Sequence, residues 1–239
     1  MVTTARRWDG TQWVNATARR WDGTEWVTVH DPAPDPDPLP VPVLSYTFDG
    51  HPYPTHGQAV LDSHAHDWVP GRSGQFDMAL RAAGWGNDWI EDWPLFSSST
   101  WDGFTLSMWT AFPSTSGGNE FRPWGAYSSD GFFAGLGVNV AAREAALWWG
   151  STTSARTTSI AALDEWVHIA VTWQNGEAAI YANATEVGWT AAPDPLPDLN
   201  RINIGSGEWG PEACLVDDLR IYPTALTAQQ IQDDMNTPL

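Results

Sequence analysis

The sequence predicts an all-β chain, an antiparallel sandwich preceded by a small region of β-hairpin repeats. Three observations carry that reading. A 13-residue unit built around Asp-Gly occurs twice near the start of the chain. A proline-rich stretch follows it. From residue 44 onward, short apolar runs alternate with clusters of Gly, Pro, Asn, Asp and Ser, which is the spacing of a sandwich or barrel.

The repeat comes first. TARRWDGTQWVNA (4–16) is followed by the nearly identical TARRWDGTEWVTV (17–29). Asp-Gly between short flanks is the strongest local hairpin signal. Two registers are open. A two-residue turn at Asp9-Gly10 sets Trp8 opposite Thr11 and Arg6 opposite Trp13; a four-residue loop sets Trp8 opposite Trp13. Either keeps both indoles on one face, because side chains alternate with period two. The same holds for Trp21 and Trp26 around Asp22-Gly23. A two-stranded hairpin is marginal alone in water. Trp8, Trp13, Trp21 and Trp26, with Arg6 and Arg19, are therefore the candidate attachment or oligomerisation residues; a purely local tryptophan clasp is the alternative. Charge separates this region from the rest. Residues 1–30 carry four arginines against three acids, whereas the remainder carries seven against 26.

Residues 30–43, HDPAPDPDPLPVPV, hold six prolines in fourteen positions. Such a segment is a semi-rigid spacer, extended at about 3.1 Å per residue. It divides the chain into hairpin repeats (1–30), a linker (31–43) and a sandwich (44–239). In the sandwich, strands are expected at LSYTFDG (44–50) and at 104–112, 132–140, 145–150, 166–173, 178–183, 202–207 and 216–222. One helix closes the chain over 228–235, where Thr227 with Gln230 three residues later makes a capping box.

The 239 residues suffice for a real core without staples, and a single cysteine, Cys214, permits no intrachain disulfide. Arginine supplies all 11 basic residues, and 29 acids bring the net charge to −18. That balance argues against nucleic acid and against anionic lipid as partners. The N-terminus MVTTARRWDG lacks the apolar core of a signal peptide, and no apolar run approaches a membrane span. The expectation is a soluble protein not exported by the usual signal. Tryptophan is the other anomaly, with 17 residues against 13 Phe and Tyr together. Burying so many would strand indole N–H groups, so some are expected at the surface.

LSYTFDG, GQFDMALRAAG, TLSMWTAF, LDEWVHIAVTWQNGEAAIYANATEV, RINIGSG and the closing VDDLRIYPTALTAQQI occur in an order that resembles the laminin-G-like, concanavalin A-like jelly roll over residues 44–239. That resemblance implies a module that binds carbohydrate or protein surfaces, although fold alone does not settle function. The hairpin units resemble those of virion structural proteins, chiefly minor tail proteins, of phages infecting actinobacteria. This second resemblance implies a virion protein assembled in the host cytoplasm and displayed on tail or capsid. Its N-terminal repeats would join other virion proteins or copies of itself, with a trimer expected, and its sandwich would face a host-surface glycan. A capsid decoration protein and a cellular carbohydrate-binding accessory module are the alternatives.

Some enzymes share this sandwich, and they place paired carboxylates on one face of a strand. Glu91-Asp92 and Asp217-Asp218 are adjacent and so point to opposite faces, and no serine elbow, zinc motif or phosphate loop occurs. The expectation is a non-enzyme. DSHAHD (62–67) sits where laminin-G-like relatives hold a structural calcium, which implies Asp62 with Asp217 or Asp218 as ligands. Histidines stand where glycines would expose carbonyls, so an unmetallated polar loop is the alternative.

The resemblance places Trp109, Trp166, Trp173 and Trp89 in the core, and His168 in a structural role. Trp85, Trp93, Trp124, Trp189 and Trp209 lie in turn-like sequence, and of adjacent Trp148 and Trp149 one must face outward. Exposed rings that stack on sugars, with amides and charges beside them, are expected at Trp124 with Arg122 and Asn119, at Trp209 with Glu208, and at Trp149.

Overall fold

The computed structural model describes residues 6–8, 13–15, 18–21, 24, 26–30, 38–51, 53–57, 60–62, 66–72, 74–82, 88–91, 101, 103–114, 120–150, 152–158, 160, 162–192, 197–204 and 214–239. They fall into two compact units, Met1–Pro38 and Leu39–Leu239.

In the first unit, β1 (Arg6–Trp8) pairs with β2 (Trp13–Asn15), and β3 (Ala18–Trp21) with β4 (Trp26–His30), both antiparallel. Trp8 lies opposite Trp13, and Trp21 opposite Trp26. The longer of the two possible loops is the one formed in each repeat. The side chains of Arg6, Arg19 and the four tryptophans lie outside the described residues.

The second unit holds β5 (Leu44–Tyr46), β6 (Val60–Asp62), β7 (His66–Gly71), β8 (Gly74–Ala82), β9 (Asp88–Glu91), β10 (Gly103–Ala111), β11 (Glu120–Ser128), β12 (Gly131–Asn139), β13 (Glu144–Trp149), β14 (Thr152–Thr158), β15 (Trp166–Gln174), β16 (Glu177–Ala182), β17 (Thr185–Ala191), β18 (Leu199–Ile204), β19 (Cys214–Tyr222) and the helix α1 (Ala228–Asn236). One sheet runs β17-β16-β15-β10-β19-β8-β7, with β5 also on β19; the other runs β14-β13-β12-β11-β18-β9-β6. Every pairing between these strands is antiparallel.

Period-two alternation decides what each strand buries. Leu106 and Met108 of β10, Ile169 and Val171 of β15, and Ile180 of β16 join one core cluster with Leu136 and Val138 of β12 and with Leu147 and Trp149 of β13. Trp149 stacks on Trp173 of the opposite sheet at 5.8 Å between centroids. Fully burying each such side chain contributes roughly 1.5–3 kcal/mol.

The other face of the first sheet carries Ser107, His168, Arg220 and Tyr222, and the chain end covers it. Leu226 and Ile231 of the closing segment pack with Ala170, Tyr181 and Tyr222. The predicted capping box is present, Thr227 Oγ1 accepting from Gln230 N and Gln230 Oε1 from Thr227 N. Beneath α1, Asp234 is fully buried and gathers its partners. Arg220 Nη1 donates to its Oδ1 at 3.0 Å, Tyr222 Oη donates to the same oxygen at 2.5 Å, and His168 Nε2 lies 3.3 Å from Oδ2. Burial pushes the Asp234 carboxyl up, but His168, Arg220, Ser107 and Tyr222 together outweigh it and hold it below the ordinary value. His168 is buried against this carboxylate.

Candidate functional site

The outward face of β11, β12 and β13 is built on missing side chains. A Cβ at Gly137 would meet Trp148 Cη2 at 2.6 Å, and one at Gly135 would meet the Phe132 ring at 3.0 Å. Both rings therefore lie against bare strand β12, and a side chain at either glycine would require the ring to shift. The Arg122 guanidinium sits over the Trp148 ring, 4.9 Å from its centroid, and Arg201 sits over Tyr127 at 4.3 Å. Tyr127 meets Phe132 edge-on at 5.5 Å. Cations over ring faces are attracted by the ring quadrupole, more so when desolvated. Burial draws the Arg122 guanidinium below its ordinary value, against the pull of Tyr127 and Glu120, and it stays charged at neutral pH.

A polar row closes one end of this face. Glu120 of β11 and Glu144 of β13 are each in register with Asn139 of β12, and Asn139 Nδ2 donates to Glu120 Oε1 at 3.3 Å. Glu120, Arg122, Asn139, Glu144, Ala146 and Trp148 line a groove of about 330 Å³. An aromatic wall, a cation and acceptors at fixed positions are what orient a small polar ligand in such a groove.

Two of the expected platforms are corrected. Trp124 is 2% exposed and Trp149 is 1% exposed, both inside the core, so neither ring offers a face to a sugar. For Trp124 the cause is a register shift in β11 between Phe121 and Trp124, at Pro123. Strict alternation from inward-facing Phe121 would turn Trp124 outward; the bulge turns it in. For the adjacent pair in β13, alternation leaves one ring outside, and that ring is Trp148. Arg122 stacks over Trp148. Asn119, Glu208 and Trp209 lie outside the described residues.

Of the expected core tryptophans, Trp173 packs against the core and its Nε1 donates to the Ala192 carbonyl at 3.0 Å. Trp109 and Trp166 are half-buried and outside the core cluster. Trp109 instead lies under the Arg72 guanidinium at 4.3 Å and edge-on to His168. The Trp89 side chain lies outside the described residues.

Of the implied calcium ligands, the side chains of Asp217 and Asp218 are described. Asp217 is buried and its Oδ1 accepts from Asp218 N at 2.9 Å, while Asp218 Oδ2 pairs with Arg72 Nη2 at 3.2 Å. The Asp62 side chain and residues 63–65 lie outside the described residues. Among the described residues no group of three His, Cys, Asp or Glu could hold a metal, and no helix is long and apolar enough to cross a membrane.

Sequence reasoning missed Trp148, Tyr127, Phe132, Asn139, Glu120 and Glu144 as one face. Its signal was present in FFAGLGVNV, where Gly135 and Gly137, two apart, bare part of one side of a strand.

No curated protein matches the chain in sequence. In structure it is similar to the binding domain of botulinum neurotoxin serotype G (TM-score 0.63, 14% identity, covering 81% of this chain and 50% of that one). It is also similar to the binding domain of botulinum neurotoxin DC, solved with rat synaptotagmin II (0.64, 13%, 82% and 51%). A Trypanosoma rangeli sialidase is a third likeness (0.65, 16%, 81% and 32%). The chain thus spans about half the length of the toxin domains and a third of the sialidase, and at these identities the likeness is one of fold. The Laminin_G_3 family model matches residues 86–232, most of the sandwich, and the chain belongs to that family of the concanavalin A-like lectin/glucanases superfamily.

Proposed function

We propose that this protein is a non-catalytic, carbohydrate-binding component of a phage virion, a minor tail or other surface-displayed protein. Its sandwich holds a host-surface glycan, and its two tryptophan hairpins join it to other virion proteins or to copies of itself, in a trimer. The observation that supports the sugar site best is the Trp148 ring laid over Gly137, with Arg122 stacked on it and Glu120, Asn139 and Glu144 along the groove. With Gly137 beneath the ring and Arg122 over it, the Trp148 indole offers its edge to a sugar's C–H groups, and the sugar's hydroxyls meet the carboxylates, the amide and the guanidinium. Because the bulge buries Trp124 and alternation turns Trp149 inward, the proposed site rests on half-buried Trp148 in place of either. Membership in a lectin/glucanase superfamily supports binding as the activity of the fold. The botulinum neurotoxin fragments that share the fold are binding domains of those toxins.

Equilibrium binding of the full chain to actinobacterial cell-wall glycan fragments tests this reading. Trp148→Ala and Arg122→Ala are each expected to weaken binding by about tenfold or more, the scale of an aromatic or arginine hot spot. Unchanged affinity in both variants contradicts the site, and immunogold labelling that leaves virions bare contradicts the virion role. Turnover of the same glycans would replace a lectin with a hydrolase.

A further inference from the structure

A second groove lies on the other sheet. Trp189 of the edge strand β17 is 62% exposed, although it sits in a folded strand opposite Ala179 of β16. Beside it, Gln174, Asn175, Glu177, Tyr181, Glu186 and Thr227 surround an open groove of about 500 Å³. The groove is held by rigid elements. Asn175 (φ 52°) and Gly176 (φ 80°) form the tight turn between β15 and β16, and Ala192 N returns to the Gly176 carbonyl at 2.7 Å. Tyr181 Oη donates to Glu186 Oε2 at 3.4 Å. Burial and Glu186 push the Tyr181 phenol up, so it remains a proton donor throughout the physiological range.

The charge of this groove is of one sign. Its ionisable lining residues are Glu177, Glu186 and Tyr181, with no described arginine or histidine among them. The Arg122 face carries guanidinium groups, so the two grooves differ in what they attract.

From the exposed indole, the flanking amides and the two acids along the groove, we infer that the Trp189 groove is a second carbohydrate subsite, selective for amino sugars. A hexosamine stacks its apolar face on Trp189, and its ammonium is drawn by the indole face and by the negative field of Glu177 and Glu186 along the groove. Gln174, Asn175 and Thr227 take the hydroxyls. An anionic sugar is repelled. A symmetric contact between two copies through this face would bring Glu177 and Glu186 against their own kind, a like-charge arrangement that disfavours self-association here. This inference rests on the reading of the sandwich as a carbohydrate binder, but it assigns a different site and a different sugar class.

The test is calorimetric titration of the full chain with a glucosamine hexamer and with its neutral N-acetylated counterpart. The glucosamine hexamer is expected to bind more tightly, and its affinity to fall with added salt. Trp189→Ala is expected to weaken it by about tenfold or more, while Tyr53→Ala, an exposed aromatic outside both grooves, stays within about twofold of wild type. The double variant Glu177→Gln/Glu186→Gln is expected to remove most of the preference for the charged hexamer without loss of fold by circular dichroism. Glucosamine binding that survives Trp189→Ala but is lost in Arg122→Ala overturns the second site and leaves the first standing. If the wild type binds neither hexamer while binding wall glycan through Trp148, the sugar class is overturned. If Trp189→Ala changes only the sedimentation behaviour, the groove is a contact between copies.

Discussion

Gly137 and Asp234 show how single positions carry the two sheets' outer faces. At Gly137 the absent Cβ leaves the space that the Trp148 indole fills, so Gly137→Ala forces the ring up from the strand. Because the atoms met are the far end of a half-buried side chain, the ring can shift and the cost in stability is small. The variant should show a modest fall in denaturation midpoint together with weakened glycan binding; unchanged binding would mean the ring's position is irrelevant to the site. Asp234 is a matter of charge. Its carboxyl is held below the ordinary value by His168, Arg220, Ser107 and Tyr222 despite burial. A carboxylate depressed in the folded state adds stability above its unfolded value of about 3.9, and that stability is lost as pH falls through the folded value. Wild type should therefore lose stability steeply below about pH 4, a loss that urea midpoints across pH 3–7 would read. Asp234→Asn should flatten that dependence while costing about 3–5 kcal/mol at pH 7, because Arg220 is left buried without its counter-charge.

Elements differ in how openly the sequence declares them. Strands β10, β15, β16 and β19 and the helix α1 were legible because apolar alternation and a capping box state them directly. The edge strands β14 and β17 were not. TTSARTT is wholly polar but for one alanine, and TEVGWTA is mostly exposed, so neither shows the alternation that a half-buried strand leaves. Strand β11 was hidden for another reason: Pro123 argues against a central strand, yet the register shift accommodates it between β12 and β18. The same shift inverted Trp124 and with it half of the expected site. A bulge is a backbone event with little trace in residue type, so the face of every residue beyond it is misread from alternation alone. In the hairpins the sequence left two registers open, and pairing of tryptophan with tryptophan resolved them. At the chain end, α1 is held by Ile231 on the Ala170–Tyr222 surface. Ile231→Ala should cost about 2–5 kcal/mol in global unfolding; a loss near zero would mean that α1 is not part of the cooperative unit.

Across the whole molecule, charge and tryptophan prove to be distributed by task. Some indoles are structural, as Trp124, Trp149 and Trp173 show, while Trp148 and Trp189 stand at grooves on opposite sheets. The negative charge is carried downstream of the repeats. Within that acidic surface the Arg122 face is a local exception and the Trp189 groove is not. Two weak sugar sites of different preference on one sandwich, repeated in an oligomer, would gain by avidity rather than by either site's strength. The central claim is that carbohydrate meets the Trp148 face, and indole NMR of the full chain during titration with host-wall oligosaccharide reads it most directly. The account predicts saturable shifts of the Trp148 Nε1 resonance, assigned by Trp148→Phe, while buried Trp124 and Trp149 stay in place. Binding that leaves the Trp148 resonance unmoved would contradict it.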